Sequence, residues 1–452
     1  MTVALLDGKF ATVTDRRYNL GNLFACHASC VTFHSSAMRR FSFWPVLVVL
    51  LLGVLVLREP RFEKLEENFL RWLLRNATPP KVSIPLTVVE IGRDRSAPNQ
   101  KESPDESTEA FLHGGGAAIS PLEHALFLQS VLEFQPTVVA FESILKWRER
   151  DKDQEQVFLD QAMRVPKLLL GTELTNSPDP DQAPPEIPIF TQVTGNRGHL
   201  VEFSGVGRQP NEDMRLISTP GFINLPEEIV DDLRVPLLFR YRGDVIPSFA
   251  LEAVLLWLRI TPAEVKIELP SKIILPGNRN IPINAEGTLL INPLAAKSAR
   301  RLALNQLLLA AQQRGKGGVT TAHLENIRDH IVLARTPANP LAPPDVFATT
   351  IATIQSNLYV HRISRIFDFA ILALTVVAAG FVVRISRSYI VLGAVVFSAA
   401  YCLIALNILS HWRVWVPGYF PLGLVWFLTV FGVVSRTRSR EHQQSVKTSH
   451  AN

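Results

Sequence analysis

Cysteine is scarce: three occur in 452 residues, at positions 26, 30 and 402, and none lies between 58 and 365. That long middle stretch therefore cannot rely on disulfides. Cys26-His27-Ala28-Ser29-Cys30, with His34 behind it, has ligand types that zinc accepts. The spacing matches no common finger and no second pair follows, so no metal is expected. Ser120, Ser143 and Ser248 lack a Gly-x-Ser-x-Gly elbow. Gly114-Gly115-Gly116 has no Lys-Ser/Thr behind it and follows no strand directly, which argues against a nucleotide cradle. His113, His124, His199, His323, His330 and His361 show no metal-ligand spacing. With no catalytic constellation, the expectation is a protein that is not an enzyme and carries no cofactor.

Uninterrupted apolar sequence is what the chain has most plainly. Runs at 366–383, 388–410 and 414–435 are bracketed by Arg365, Arg384, Arg387, Arg413 and Arg436, with Asp368 the one acid near the start of the first. Each is long enough for a helix that satisfies its own backbone across a bilayer, about 20 residues. A shorter run at 41–57 lies between Arg39-Arg40 and Arg58. No small-residue cleavage site follows it, so it reads as an uncleaved signal anchor. Met38 opens a compact charged segment before it, and residues 1–37 look like an over-extended start.

Charge sets the orientation. Residues 58–365 hold 34 Lys/Arg against 37 Asp/Glu, whereas the rest holds 12 against 4. The positive-inside rule places segments 1–40, 384–387 and 436–452 in the cytoplasm and 58–365 outside. The expectation is a multi-pass protein of the inner (plasma) membrane. The sequence pI of about 9.1 is then a signal of topology, and no nucleic-acid partner is expected.

The outer domain reads as α/β, with a partly parallel sheet and flanking helices. Residues 59–74 carry a helical apolar stripe, and 86–91 form a buried strand. Ser120 caps a helix with Pro121 at its first position and Glu123 three residues on. Strands at 137–141 and 167–171 with a helix at 153–163 complete a β-α-β-α-β order, which implies parallel strands side by side. Further strands are expected at 198–203, 214–219, 265–269, 272–276, 280–284, 288–292 and 331–334, with a turn at Asn278. Helices are expected at 248–258, 299–313 and 345–358.

The pieces LTVVEIGRDRSAP, TVVAFESIL, KLLLG, GHLVEF, EDMRLI, IPSFALEAVLLW, IPINAEGTLLIN and HIVLARTPANP, in this order and followed by three apolar runs, resemble the CHASE type-2 extracytoplasmic sensory domains of bacterial receptors. The resemblance covers roughly residues 43–434. It departs at Glu142, where the family usually has Asp, and in GGGAAISPLEH, which lacks the family's tryptophan-proline-arginine stretch. Such sensors commonly feed a cytoplasmic effector; here residues 436–452 form a short basic tail. The resemblance implies a receptor for an unknown small-molecule or envelope ligand. Its output would pass through the bilayer to a separate effector or through a homodimer.

Ligands of parallel α/β sheets sit at the carboxyl ends of strands. Those ends carry Glu90 and Asp94, Glu142, and Glu173, a set able to bind a cation or cationic small molecule, with Arg93 or Arg95 beside it. The competing readings are solvated loop acids or helix caps. A membrane enzyme or transporter accessory is the alternative function, but Pro417 and Pro421, the breakers of the last run, lie near its outer end rather than at the midplane.

Overall fold

The computed structural model describes residues 47, 51, 53, 61–79, 82–91, 120–147, 151–178, 185–226, 233–277, 279–317, 327–336, 345–382 and 386–449. Asp94, most of the run at 41–57, the Cys26–Cys30 segment, Gly114–Gly116, Asn278 and Arg384 lie outside these residues. The chain divides into two compact units, one of Pro60–Phe367 with Phe397–Phe420, the other of Met1–Glu59, Asp368–Val396 and Pro421–Asn452.

The larger unit is built on a six-stranded sheet. Its strands are β1 (Leu86–Glu90), β2 (Val138–Phe141), β3 (Leu168–Thr172), β4 (Thr219–Phe222), β5 (Arg300–Ala303) and β6 (Ile331–Arg335). Their order is β5-β1-β6-β2-β3-β4, and every pairing is parallel. The inner strands β1, β6, β2 and β3 are short apolar runs buried on both faces, as a covered parallel sheet requires, while the edge strands β5 and β4 are partly exposed. One face packs on helices α4 (Phe249–Leu258) and α6 (Val346–Ser356) through Leu86, Val88, Val138, Ala140, Ile331 and Leu333. The other packs on α2 (Pro121–Leu132), α3 (Lys152–Ala162) and α5 (Leu304–Gly315) through Val89, Val139, Phe141, Val332 and Ala334. Burying each of the Val, Leu, Ile and Phe side chains among them stabilises the fold by about 1.5–3 kcal/mol.

Helix α2 starts where the capping signal placed it, with the Glu123 N–H donating to Ser120 Oγ at 3.3 Å. Several expectations need correction. The strand expected at 198–203 is a short 3-10 turn, Arg197–His199, followed by the two-residue strand Glu202–Phe203. The strands at 86–91 and 137–141 are parallel but not neighbours, because β6 lies between them and pairs with both. The segment 214–219 is the short helix Glu212–Leu216 followed by β4: Glu212 and Asp213 occupy its first turn and Met214 turns into the core. The helix expected from 299 starts only at Leu304, since Arg300–Ala303 pairs with β1 as the edge strand β5.

Smaller sheets pack beyond α4, where Val245, Val265, Ile267 and Ile281 share one core with it. One is four-stranded, Gln192–Thr194, Lys266–Glu268, Lys272–Leu275 and Arg279–Pro282; another is three-stranded, Glu202–Phe203, Leu238–Tyr241 and Asp244–Pro247. Helix α1 (Arg61–Asn76) belongs to the same unit, with Leu70 and Leu73 fully buried.

The carboxyl-terminal apolar runs form α7 (Arg365–Val382), α8 (Arg387–Trp412) and α9 (Tyr419–Ser449). Among the described residues one helix, Ser388–Trp412, is long and apolar enough to cross a membrane, with mean hydropathy 2.3; Ile366–Ala378 and Tyr419–Val434 are apolar but shorter. Tyr389 and Leu403 on α8 are 71% and 68% exposed. The third run does not start as helix. Val414–Trp415 pairs in parallel with His361–Arg362, and Pro417-Gly418 precede the first turn of α9.

Candidate functional site

Parallel strands end together, so the sheet register fixes which residues share the carboxyl rim. Glu90 pairs with Arg335 across β1 and β6, and Phe141 pairs with Ala334 across β6 and β2. Glu142, next along, takes its place beside Arg335 by donating its N–H to Ala334 O at 3.3 Å. Alternation along the strands turns Glu90, Arg335 and Glu142 to the face covered by α4 and α6. Glu90 and Glu142 therefore stand on either side of Arg335 in the register, on the same rim. Beyond Glu142 the level continues with Gly171, where a Cβ would meet Ser143 O at 2.8 Å, so the glycine is what lets β3 approach the turn after β2.

The guanidinium is tied on two sides. Arg335 Nε lies 3.2 Å from Glu142 Oε1, and Arg335 Nη1 lies 2.6 Å from Asp345 Oδ1. Asp345 precedes α6, and its other oxygen lies 3.1 Å from Arg301 Nη2 on β5. Asp345 has φ +71°, a left-handed conformation that costs free energy for a residue with a Cβ and that Asp tolerates better than most. Two acids and two arginines from four elements thus interlock where α6 begins. One residue further along β6 and β2, Thr336 Oγ1 and Ser143 Oγ are buried without a hydrogen-bond partner.

Burial dominates the electrostatics of Glu142, which is 4% exposed. Desolvation pushes its pKa up to about 7; Arg335 pulls it down and Asp345 pushes it up. Glu252 on α4 reaches about 7 by burial alone. His124, enclosed by Phe141, Trp147 and Phe158, is lowered to about 4 and donates from Nδ1 to Ser120 O, as a neutral core histidine does.

The structure sets Glu90 and Glu142 on one rim, on either side of the strand of Arg335, and pairs Glu173 with a different arginine. Glu173 forms a two-pronged pair with Arg208, at 2.6 and 3.3 Å, beside the small sheet of Leu174–Thr175 and Gly205–Val206. Asp94 is outside the described residues. Arg335, Asp345 and Arg301 were missed from sequence. The signal for Arg335 was present, since a charged residue directly after an apolar parallel strand lies on the rim whatever its sign. An open cleft of about 480 Å³, lined by Glu186, Glu212, Arg215 and Pro220 among others, lies at the amino end of β4 and so on the opposite rim.

The pH dependence of stability follows from these groups. Because the folded pKa of Glu142 lies above its ordinary 4.5, the native chain holds an extra proton between pH 4.5 and about 7. Its stabilising effect is complete below 4.5 and lost as pH rises through 7, a contribution on the order of 3 kcal/mol. Glu252 acts with the same sign. His124, lowered to about 4, opposes them below pH 6.5, so thermal unfolding of the full chain is expected to show a midpoint that falls from pH 5 to 7.5 and falls less steeply in Glu142→Gln. An unchanged slope in that variant contradicts the assignment.

The family model described as CHASE2 domain matches residues 47–379. No curated protein and no solved structure matches the chain.

Proposed function

Because the chain belongs to the CHASE2 domain family, whose domain is an extracytoplasmic sensory module of membrane proteins, we propose that it is a multi-pass receptor whose carboxyl rim binds a small cationic ligand. The single observation that carries the reading is the Arg335 guanidinium held between Glu142 and Asp345 at the root of α6. Those two acids hold a planar cation from the protein itself, and Glu90 stands beside Arg335 in the register of the neighbouring strand. A ligand bearing a guanidinium or amine competes for the same oxygens. Exchange of one for the other alters the contacts of Asp345, the residue from which α6 runs.

Helix α6 spans 11 residues, about 16 Å, and ends four residues before His361–Arg362. Helix α7 follows at Arg365, so the chain leads from the rim to the first carboxyl-terminal apolar helix without a long connector. A ligand shifts this path only by its differential affinity for two arrangements. In this reading the protein senses and relays without catalysing. The spans are 41–57, 366–383, 388–410 and the part of the last run from Tyr419 onward, with both termini cytoplasmic, and output passes to a cytoplasmic partner through the basic segment 436–452.

A guanidino-amine such as agmatine serves as probe, with malonate as its anionic counterpart. Binding to the native state alone raises the unfolding temperature. Millimolar agmatine is expected to raise it by a few degrees in the wild type and not in Glu142→Gln, with malonate inert. Equal shifts in both proteins, or turnover of the probe, contradict the proposal. For topology, an alkaline-phosphatase reporter fused after residue 200 is expected to be active and one after residue 440 silent; the reverse pattern removes the receptor orientation.

A further inference from the structure

The first helix of the larger unit carries two adjacent glutamates that face inward. Glu67 Oε1 lies 2.7 Å from Arg234 Nε, an ordinary ion pair. Glu66, 2% exposed, has a different set of partners. Its carboxylate accepts from the backbone N–H of Gly418 at 2.6 Å, Tyr419 at 3.2 Å and Phe420 at 2.7 Å. These are the N–H groups at the start of α9, which an α-helix cannot satisfy from within. A carboxylate there is also favoured by the helix dipole. The contact joins residues more than 350 positions apart, and both partners belong to the larger unit.

The surroundings are built for this contact. A Cβ on Gly418 would lie 2.2 Å from Phe69 Cδ1, so glycine is what lets the chain approach α1 closely enough for Glu66 to reach three amides. Phe69 also meets the Tyr419 ring edge-on at 6.4 Å. Burial raises the Glu66 pKa, while the three N–H groups and Arg362 draw it back down. Arg362 stands over the Trp415 ring at 5.5 Å. On that same strand pair the His361 N–H donates to Arg413 O at 3.1 Å and the Ile363 N–H to Trp415 O at 2.9 Å. The chain entering α7, the turn between α8 and α9, and helix α1 are thereby fastened into one collar.

We infer that Glu66 is the clamp by which the outer domain's first helix holds the start of the last apolar helix, so that α1 and the first turn of α9 move together. The geometry is independent of any ligand; its meaning as a second relay, beside the one through α6, rests on the receptor reading. It makes the collar a junction of two inputs: α6 arrives through His361–Ile363, and α1 arrives through Glu66.

Amide hydrogen exchange of the full chain in lipid nanodiscs tests the clamp. In Glu66→Ala the amides of residues 418–420 are expected to exchange at least tenfold faster, with strand 331–335 as protected as in the wild type. Glu66→Gln, whose single carbonyl oxygen still accepts, is expected to fall between the two. Unchanged protection at 418–420 in a Glu66→Ala protein whose 331–335 strand is intact overturns the clamp. If the alanine variant does not fold, wild-type protection at 418–420 in Glu66→Gln overturns it equally. No ligand enters the measurement, so its failure leaves the rim site standing, and failure of the agmatine shift leaves the clamp standing.

Discussion

A guanidinium at the end of a buried parallel strand is the constraint on which the rest of the site depends. Arg335 closes the central strand β6, and a charge in that position must be paired or hydrated. Glu142 and Asp345 supply the pairing, one from the neighbouring strand and one from the residue that opens α6. Replacing such a buried pair by apolar groups is often neutral or stabilising, whereas removing one partner is costly. Stability alone therefore does not explain the network. What it does provide is an attachment of α6 to the rim, which in the proposed receptor a competing cation would loosen.

The path from the rim follows chain order. Helix α6 packs on α4 and on β1, then passes into the short strand that pairs beside Trp415. Its own polar groups are satisfied locally, with Thr350 donating to Val346 O and Thr353 to Thr349 O. Asn292 adds an anchor at the far end, donating from Nδ2 to Leu358 O at 3.1 Å. A rod so supported transmits displacement rather than absorbing it, because packed interiors switch between discrete arrangements instead of deforming smoothly. In the proposed relay, the collar would receive that displacement where helices α7, α8 and α9 begin or end.

Much of the fold was legible from local signals. The apolar runs at 86–91, 137–141 and 167–171 gave three parallel strands, and Ser120-Pro121 gave the start of α2. The strand ends also gave the place of Glu90 and Glu142 on the carboxyl rim. What was not legible depends on distant pairing. The insertion of β6 between β1 and β2 joins segments some two hundred residues apart, and no local periodicity records it. The edge strand Arg300–Ala303 was read into the helix behind it because its apolar residues fit helical spacing. Glu66 was invisible for a related reason: in an amphipathic helix rich in Glu and Arg it reads as solvated, and only the arrival of Gly418 buries it. Glu173, equally prominent in sequence, turned to Arg208 instead.

The central claim is that the rim and the collar are coupled through α6. The direct measurement is amide hydrogen exchange of the intact protein in bilayers, comparing wild type with Arg335→Gln. Coupling predicts several-fold faster exchange at His361 and Ile363, whose N–H groups bind the 413–415 segment, while the amides of β2 and β3 keep their protection. A change confined to the neighbourhood of Glu142 and Asp345, with His361 and Ile363 exchanging as in the wild type, would contradict it.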